Sequence, residues 1–287
     1  MSLFRKYYCP IRKKGILNIA GLELTKFINP LKKLEQQIFT LQRIINSSLD
    51  ITKLSIASGK LREQQLECIK LLDKIDIICK NYNLQYFLSF GTLLGAKRHN
   101  GFIPWDDDID ITMLRNDYEK IIPILKDNFK NTNYIIREGI CNRFQLRIQN
   151  KENNELGIDI FPMDIFYKKD ISPLEREKLN KTIKKSVICF SRKYNSNNIL
   201  KNRNLIKNIT QLKILNNNPP IDNGLLFYGI DYPHPHADIV FEYNSIFPLK
   251  TINFEGNLYP CPNSIDKHLE QLYKNHMQFP VNIFNDR

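Results

Sequence analysis

One heptapeptide limits the folds open to this chain more than any other: Trp105-Asp106-Asp107-Asp108-Ile109-Asp110-Ile111. On a β-strand successive side chains point to opposite faces. Ile109 and Ile111 would enter a core, while Asp108 and Asp110 project together from the other face. Two carboxylates side by side repel unless something neutralises them. A divalent cation with oxygen ligands does so, and Mg²⁺ commonly combines one or two carboxylates with substrate phosphates. A solvated acidic loop accounts for Asp106 and Asp107 but poorly for the Asp-Ile-Asp-Ile alternation.

Two neighbouring segments share this logic. Ser89-Phe90-Gly91-Thr92-Leu93-Leu94-Gly95 reads as a strand ending in glycine, followed by a hydroxyl residue that opens a helix. Such a junction presents backbone N–H groups to an anion, although a plain turn has the same pattern. Gly157-Ile158-Asp159-Ile160-Phe161-Pro162 places one carboxylate between two isoleucines on a strand. Asp159 is either an edge residue or a third carboxylate of the metal site.

The rest of the chain interleaves helix and strand patterns. Apolar residues at helical spacing predict a helix over 61–80, with Cys68, Leu71, Leu72, Ile75, Ile78 and Cys79 on one face. Further helices are expected over 92–98, 116–129 (despite Pro123) and 264–274. Strands are expected over 85–90, 109–113, 134–137, 144–149, 158–161, 239–243, 251–254 and 258–259. This is an α/β or α+β pattern. Ser172-Pro173-Leu174-Glu175 is a helix start in which Ser caps, Pro takes the first position and Glu reaches back. Residues 1–60 read as a separate helical extension. Leu34, Ile38, Leu41 and Ile45 form a seam that suits a helix packed on its own domain, a self-association contact or a membrane-surface helix. A domain over 61–287 follows, with an Asn-rich basic insertion at 191–220.

Composition narrows the classes. Hydrophobic residues are 42% of the 287, enough for a sizeable core and against wholesale disorder. No stretch reaches the length of a membrane span, and no signal peptide is read at the start. Six scattered cysteines without a C-x-x-C suit reduced thiols of a cytoplasmic protein. The net charge of +12 is concentrated, because residues 178–213 hold ten basic and no acidic residues. Residues 1–14 add Arg5, Lys6, Arg12, Lys13 and Lys14. His234-Pro235-His236 with Asp238 is a Pro-rich loop or, less simply, a metal site.

Together, a glycine motif, a D-x-D strand and a later third acid resemble the nucleotidyltransferase superfamily. The run Phe90-Gly91-Thr92-Leu93-Leu94-Gly95-Ala96-Lys97-Arg98-His99-Asn100-Gly101-Phe102-Ile103-Pro104-Trp105-Asp106-Asp107-Asp108-Ile109-Asp110 resembles the signature of the LicD/fukutin family. Ile158 to Asp164, Phe247-Pro248-Leu249, Phe254-Glu255-Gly256, Pro260 to Asn263 and Leu269 to Pro280 are similar to its later blocks. Tyr273-Lys274 stands where the family often has Tyr-Gly.

The resemblance implies a nucleotidyltransferase-like mixed sheet flanked by helices. It also implies transfer of a phospho-alcohol from a CDP carrier to a sugar hydroxyl, phosphocholine from CDP-choline being the commonest bacterial case. The acceptor would be a lipopolysaccharide, teichoic acid or capsular glycan. On that reading Asp108 and Asp110 hold Mg²⁺, or Mn²⁺ in its place, and Asp159 is a further ligand or the general base. Gly91 and Thr92 contact phosphate. Lys97, Arg98, Arg143 and Arg147 are candidate phosphate contacts or ordinary surface cations. Trp105 packs the acidic loop or stacks on the donor. The rival is a nucleotidyltransferase acting on a small molecule or RNA. The net charge favours it, but no aromatic-studded basic motif of the RNA-binding kind is present, so nucleic acid is not an expected partner. The basic segments instead suit the anionic inner face of the cell membrane, or an anionic glycolipid acceptor. A homo-oligomer is compatible with the short seam. Deleting residues 195–218 is expected to weaken binding to anionic vesicles or acceptor while donor hydrolysis survives. Loss of donor hydrolysis in a folded deletion would place the tract at the active site.

Overall fold

The computed structural model describes residues 25–138, 146–153, 156–167, 224–229 and 239–279. The stretches 1–14 and 178–213, the helix expected from Ser172, the 191–220 insertion and His234-Pro235-His236 lie outside the described residues. So do Arg143, Asp238, Cys9, Cys141 and Cys189. The chain divides into two units, Met1–Leu49 and Asp50–Arg287. The first is described as helix α1 (Thr25–Ser48), on which Leu34, Ile38, Leu41 and Ile45 are exposed. No helix among the described residues is long and apolar enough to cross a membrane.

The second unit begins with a 3-10 turn (Ile51–Lys53), where the Thr52 N–H donates to the Asp50 carboxylate at 3.0 Å. Then follow α2 (Gly59–Asn81), β1 (Phe87–Leu88), α3 (Phe90–His99), β2 (Ile109–Leu114), α4 (Arg115–Asn128), β3 (Tyr134–Glu138), β4 (Leu146–Asn150) and β5 (Gly157–Tyr167). After these come β6 (Gly224–Tyr228), β7 (Val240–Glu242), α5 (Tyr243–Ile246), the hairpin β8 (Lys250–Phe254) and β9 (Asn257–Cys261), and α6 (Ile265–Tyr273). Seven of these strands form one mixed sheet in the order β1-β2-β5-β4-β3, with β6 on β5 and β7 on β6. β2 and β5 are parallel, and the other pairs are antiparallel. The protein is thus an α/β domain with a mixed sheet flanked by helices.

Side-chain alternation gives the sheet two different faces. Ile109, Ile111, Met113, Leu146, Ile148, Ile158 and Ile160 join Cys68, Leu71, Leu72 and Ile75 of α2 and Tyr118, Ile121 and Leu125 of α4 in the main core. Burial of each such aliphatic side chain stabilises the fold by roughly 1.5–3 kcal/mol. That apolar face keeps α4 helical through Pro123, although the ring removes a helical hydrogen bond. The opposite face carries Asp110 and Asp159, and further along β5 Phe161, Met163 and Ile165 enter a second, aromatic-rich core with Phe90, Tyr228 and Phe241.

β5 runs past the expected 158–161 to Tyr167. Its edge partner is β4 up to Ile160 and β6 from Met163 onward. Pro162 falls in the gap between these partners, where a missing N–H breaks no ladder, and its carbonyl accepts from the Gly229 N–H at 2.7 Å. Asp164, fully buried, is gripped in bidentate fashion by Arg115, Nε to Oδ1 at 2.8 Å and Nη2 to Oδ2 at 2.9 Å. This ties the far half of β5 to the start of α4. At the end of α6, Lys274 adopts φ 56°. With ψ −100° it ends the helix outside both helical regions, a positive-φ conformation that glycine adopts with less strain.

His268 is fully buried in α6, stacked on Phe241 with ring centroids 4.5 Å apart and edge-on to Phe87 at 6.2 Å. Among the described residues neither ring nitrogen has a hydrogen-bond partner. Burial pushes this imidazole down to about 3. The folded state therefore keeps it neutral while the unfolded chain protonates below its ordinary value of 6.5. Stability from this residue is full above pH 6.5 and is lost as the pH falls. Between pH 7 and pH 5 the loss is about 2 kcal/mol. Urea denaturation at the two pH values should show that His268→Leu removes most of this dependence.

Candidate active site

The register of the two parallel strands creates the site. Asp110 on β2 lies directly beside Asp159 on β5, with Ile109 paired to Ile158 and Ile111 to Ile160 on the opposite face. Asp108 precedes β2 by one residue. One carboxylate oxygen from each of Asp108, Asp110 and Asp159 lies within 4.8 Å of the others. Asp106, Asp107 and Asp108 make a second group of the same tightness. Asp110 and Asp159 are buried, at 8% and 6% exposure.

Several contacts fix the strand that carries this charge. The Asp110 N–H donates to Thr92 Oγ1 at 2.8 Å, and its carbonyl accepts from the Ser89 N–H at 3.0 Å. Ser89 Oγ donates to Thr112 Oγ1 on the next residue of the same face. Thr92, expected to face phosphate, is buried behind the strand as a brace, its hydroxyl engaged by Asp110. Arg147 on β4 supplies positive charge. Its Nη1 is 3.0 Å from Asp159 Oδ2 and 3.5 Å from Asp108 Oδ2. Burial alone would lower this guanidinium, but Asp159 and Asp108 outweigh it and hold Arg147 above its ordinary value. Arg147 therefore sits against the carboxylate cluster. Arg143 lies outside the described residues.

Lys97 and Arg98 do not join the carboxylates. They lie at the C-terminal end of α3, two turns beyond Gly91. Lys97 Nζ is 2.9 Å from Asp266 Oδ1, and Arg98 Nη2 donates to the Gln278 carbonyl at 3.0 Å. Burial pushes the Arg98 guanidinium down to about 10. Trp105 is half-buried and packs against the main core beneath the acidic loop.

Asp106 is the residue that sequence reasoning missed. Expected in a solvated loop, it is 2% exposed. The loop places it against the start of α3, so closely that a Cβ on Gly91 would stand 2.6 Å from Asp106 Oδ2. A Cβ on Gly95, one turn on, would stand 2.5 Å from the Gly101 carbonyl oxygen and 2.8 Å from the Ile103 nitrogen. The one available signal was the spacing of the two glycines, which marks a helix face meant for close approach. Their substitutions should differ. Gly95→Ala meets backbone and is expected to lower urea-denaturation stability by about 1–3 kcal/mol. Gly91→Ala meets a side-chain carboxylate, so it should cost less stability and act on the site instead.

The donor set is oxygen only, which suits a hard cation such as Mg²⁺ or Mn²⁺ rather than a soft one. Three converging carboxylates fit a divalent cation at Asp108, Asp110 and Asp159.

Comparison with known proteins shows what the chain is similar to. The family model for the LicD/FKTN/FKRP nucleotidyltransferase domain matches residues 83–196, which include Gly91, the acidic loop, Arg147 and Asp159. The lipopolysaccharide cholinephosphotransferase LicD of Haemophilus influenzae is 29% identical over 255 residues, 77% of this chain and 92% of that protein. An uncharacterized protein of Rickettsia typhi is 35% identical over 118 residues, 37% of either chain. The ribitol 5-phosphate transferase FKRP of Mus musculus is 32% identical over 82 residues, 28% of this chain and 17% of that one. Residues 83–196 thus match the LicD/FKTN/FKRP nucleotidyltransferase domain, and the chain is similar to the Haemophilus protein along most of that protein's length.

Proposed function

We propose that the protein transfers a phospho-alcohol, phosphocholine in the first instance, from a CDP-linked donor to a sugar hydroxyl of a cell-surface glycan or glycolipid, with Mg²⁺ or Mn²⁺ bound. The observation that carries this reading is the convergence of Asp108, Asp110 and Asp159 beside Arg147 on one face of the sheet. Two relatives support the class of group transferred, one named a cholinephosphotransferase and one a ribitol 5-phosphate transferase. The choice of choline follows the relative that aligns over the larger share of this chain.

The chain's own residues have distinct tasks in this reading. Asp108, Asp110 and Asp159 would hold the cation, which when bound offsets charge on the donor pyrophosphate and on the departing CMP. Arg147 keeps Asp159 and Asp108 aligned and neutralises part of their charge before donor arrives. Its contact with Asp159 favours the ligand role for that residue over the role of general base. Gly91 leaves the backbone at the start of α3 open to close approach. The acceptor hydroxyl oxygen attacks the phosphorus bearing the alcohol, the P–O bond to CMP breaks, CMP departs as the anion, and the hydroxyl proton is released to solvent. The basic stretches 1–14 and 178–213 are proposed to meet an anionic acceptor or membrane face.

The test is a panel of CDP-choline, CDP-ribitol, CDP-glycerol and CDP-ethanolamine with Mg²⁺, following CMP release. CDP-choline is expected to give the largest release, and chelation by EDTA should abolish it. Asp108→Asn should reduce release to background with the circular dichroism spectrum unchanged. Near wild-type turnover in that variant would remove the metal assignment. Consumption of a nucleoside triphosphate with all four CDP donors inert would favour nucleotide transfer instead.

A further inference from the structure

We propose that Glu255, Arg62 and Gln65 form a positioning unit for the carboxylate cluster, transmitting the placement of the β8–β9 hairpin to the peptide at Asp106. The proposal rests on the metal-binding reading above, and it concerns residues that lie outside both the cluster and the matched 83–196 segment.

The segment between α3 and β2, residues 100–108, has no regular structure, so its backbone groups need partners from elsewhere. The hairpin turn supplies two of them. The Glu255 N–H donates to the Asn100 carbonyl at 2.8 Å, and Glu255 Oε1 accepts from the Phe102 N–H at 3.1 Å. Approach here is so close that a Cβ on Gly101 would stand 2.5 Å from Glu255 Oε1. Helix α2 supplies the third. Gln65, fully buried, donates from Nε2 to the Asp106 carbonyl at 2.9 Å.

Arg62 joins the two suppliers. Its Nη1 and Nη2 donate to Glu255 Oε1 and Oε2 at 2.9 and 2.7 Å, and Nη1 also donates to Gln65 Oε1 at 3.2 Å. A guanidinium has donors and no acceptor. The end of the Gln65 amide that faces Arg62 must therefore be oxygen, which leaves the NH₂ end for Asp106. The guanidinium fixes the amide's orientation, and Glu255 fixes the guanidinium. The pairing with Glu255 raises Arg62 above its ordinary value. Burial would raise the Glu255 carboxyl, but Arg62 and the Phe102 N–H outweigh it and hold Glu255 below its ordinary range. The pair is mostly buried, at 21% and 11% side-chain exposure, and so is little screened by solvent.

The endpoint of this chain of contacts is the peptide that starts the Asp106-Asp107-Asp108 group, whose oxygens lie within 4.8 Å of one another. A displacement of the Asp106 carbonyl displaces all three carboxylates relative to Asp110 and Asp159, which are held independently by the sheet register. Partners that orient metal ligands from outside the ligand set typically change metal affinity by about 10- to 100-fold when removed. These are positioning residues; none of them needs to touch donor or acceptor.

The experiment is Mn²⁺ titration of the full chain followed by electron paramagnetic resonance of the free ion, with thermal unfolding of the metal-free protein alongside. Gln65→Leu keeps the buried volume and removes the donor to Asp106. Gln65→Glu keeps an acceptor for Arg62 and presents no amide donor. Both are expected to raise the Mn²⁺ dissociation constant about tenfold or more while metal-free unfolding stays cooperative. Glu255→Gln should act in the same direction by loosening Arg62. Lys267→Met, which breaks an exposed pair with Glu242, serves as control and should leave Mn²⁺ affinity unchanged. If wild type binds Mn²⁺ and both Gln65 variants bind it equally well, the positioning unit is overturned. If wild type itself binds no Mn²⁺, the metal-binding reading fails first, a separate and distinguishable result. Should Gln65→Leu fail to fold, the milder Gln65→Glu decides, because an equal affinity there also overturns the proposal.

Discussion

Like charges held close together are the constraint on which this structure depends. Three carboxylate oxygens within 4.8 Å of one another repel strongly in a partly buried site, and the surrounding features keep them there. The parallel pairing of β2 and β5 sets Asp110 beside Asp159 as a matter of register, not of side-chain choice. Thr92 and Ser89 then hold the Asp110 peptide from both sides. Arg147 reaches across from β4 with the single guanidinium that touches Asp159 and Asp108 among the described residues. A fold that gathers anions in this way is prepared for a cation, and the apolar face of the same two strands supplies the stability that the repulsion opposes.

The central strands were legible because their chemistry is periodic. Asp-Ile-Asp-Ile and Ile-Asp-Ile state both the strand and its two faces, and the expected helices at 61–80 and 116–129 followed from their apolar stripes. Failures occurred where long-range contacts decide. β5 was expected to stop before Pro162, because a proline looks like a strand end locally. Its neighbours β4 and β6 meet at that position and leave no ladder to break. Asp106 looked solvated because nothing nearby in sequence says that α3 packs on it. For Lys97 and Arg98 the sequence leaves phosphate contact and ordinary surface cation open alike. The helix, however, carries them two turns away toward Asp266 and Gln278.

The contacts around the acidic loop reach beyond the segment that the family model matches. The matched region covers 83–196, yet Arg62 and Gln65 precede it and Glu255 follows it by 59 residues, the difference between 255 and 196. The contact between Arg62 and Glu255 spans 193 residues of sequence. Arg62 carries no local sign of such a role, and Glu255 is marked only by the likeness of Phe254-Glu255-Gly256 to a family block. An arginine on a helix and a glutamate at a hairpin turn are ordinary surface residues until the fold brings them together over the acidic loop.

Gly91 and Gly95 carry one more consequence. Gly95 is required by the approach of the loop backbone to α3 whether or not anything is catalysed, whereas Gly91 meets the Asp106 carboxylate and belongs with the site. Asp110 and Asp159 are set side by side by the strand register, at a cost in repulsion that packing does not require. Within a single signature, therefore, Gly95 records an architecture and the acids record a chemistry. A descendant that lost its activity would be under pressure to keep the first and free to lose the second. Reading the two subsets separately gives a way to tell a living enzyme from its inert cousin when the overall likeness between them is the same.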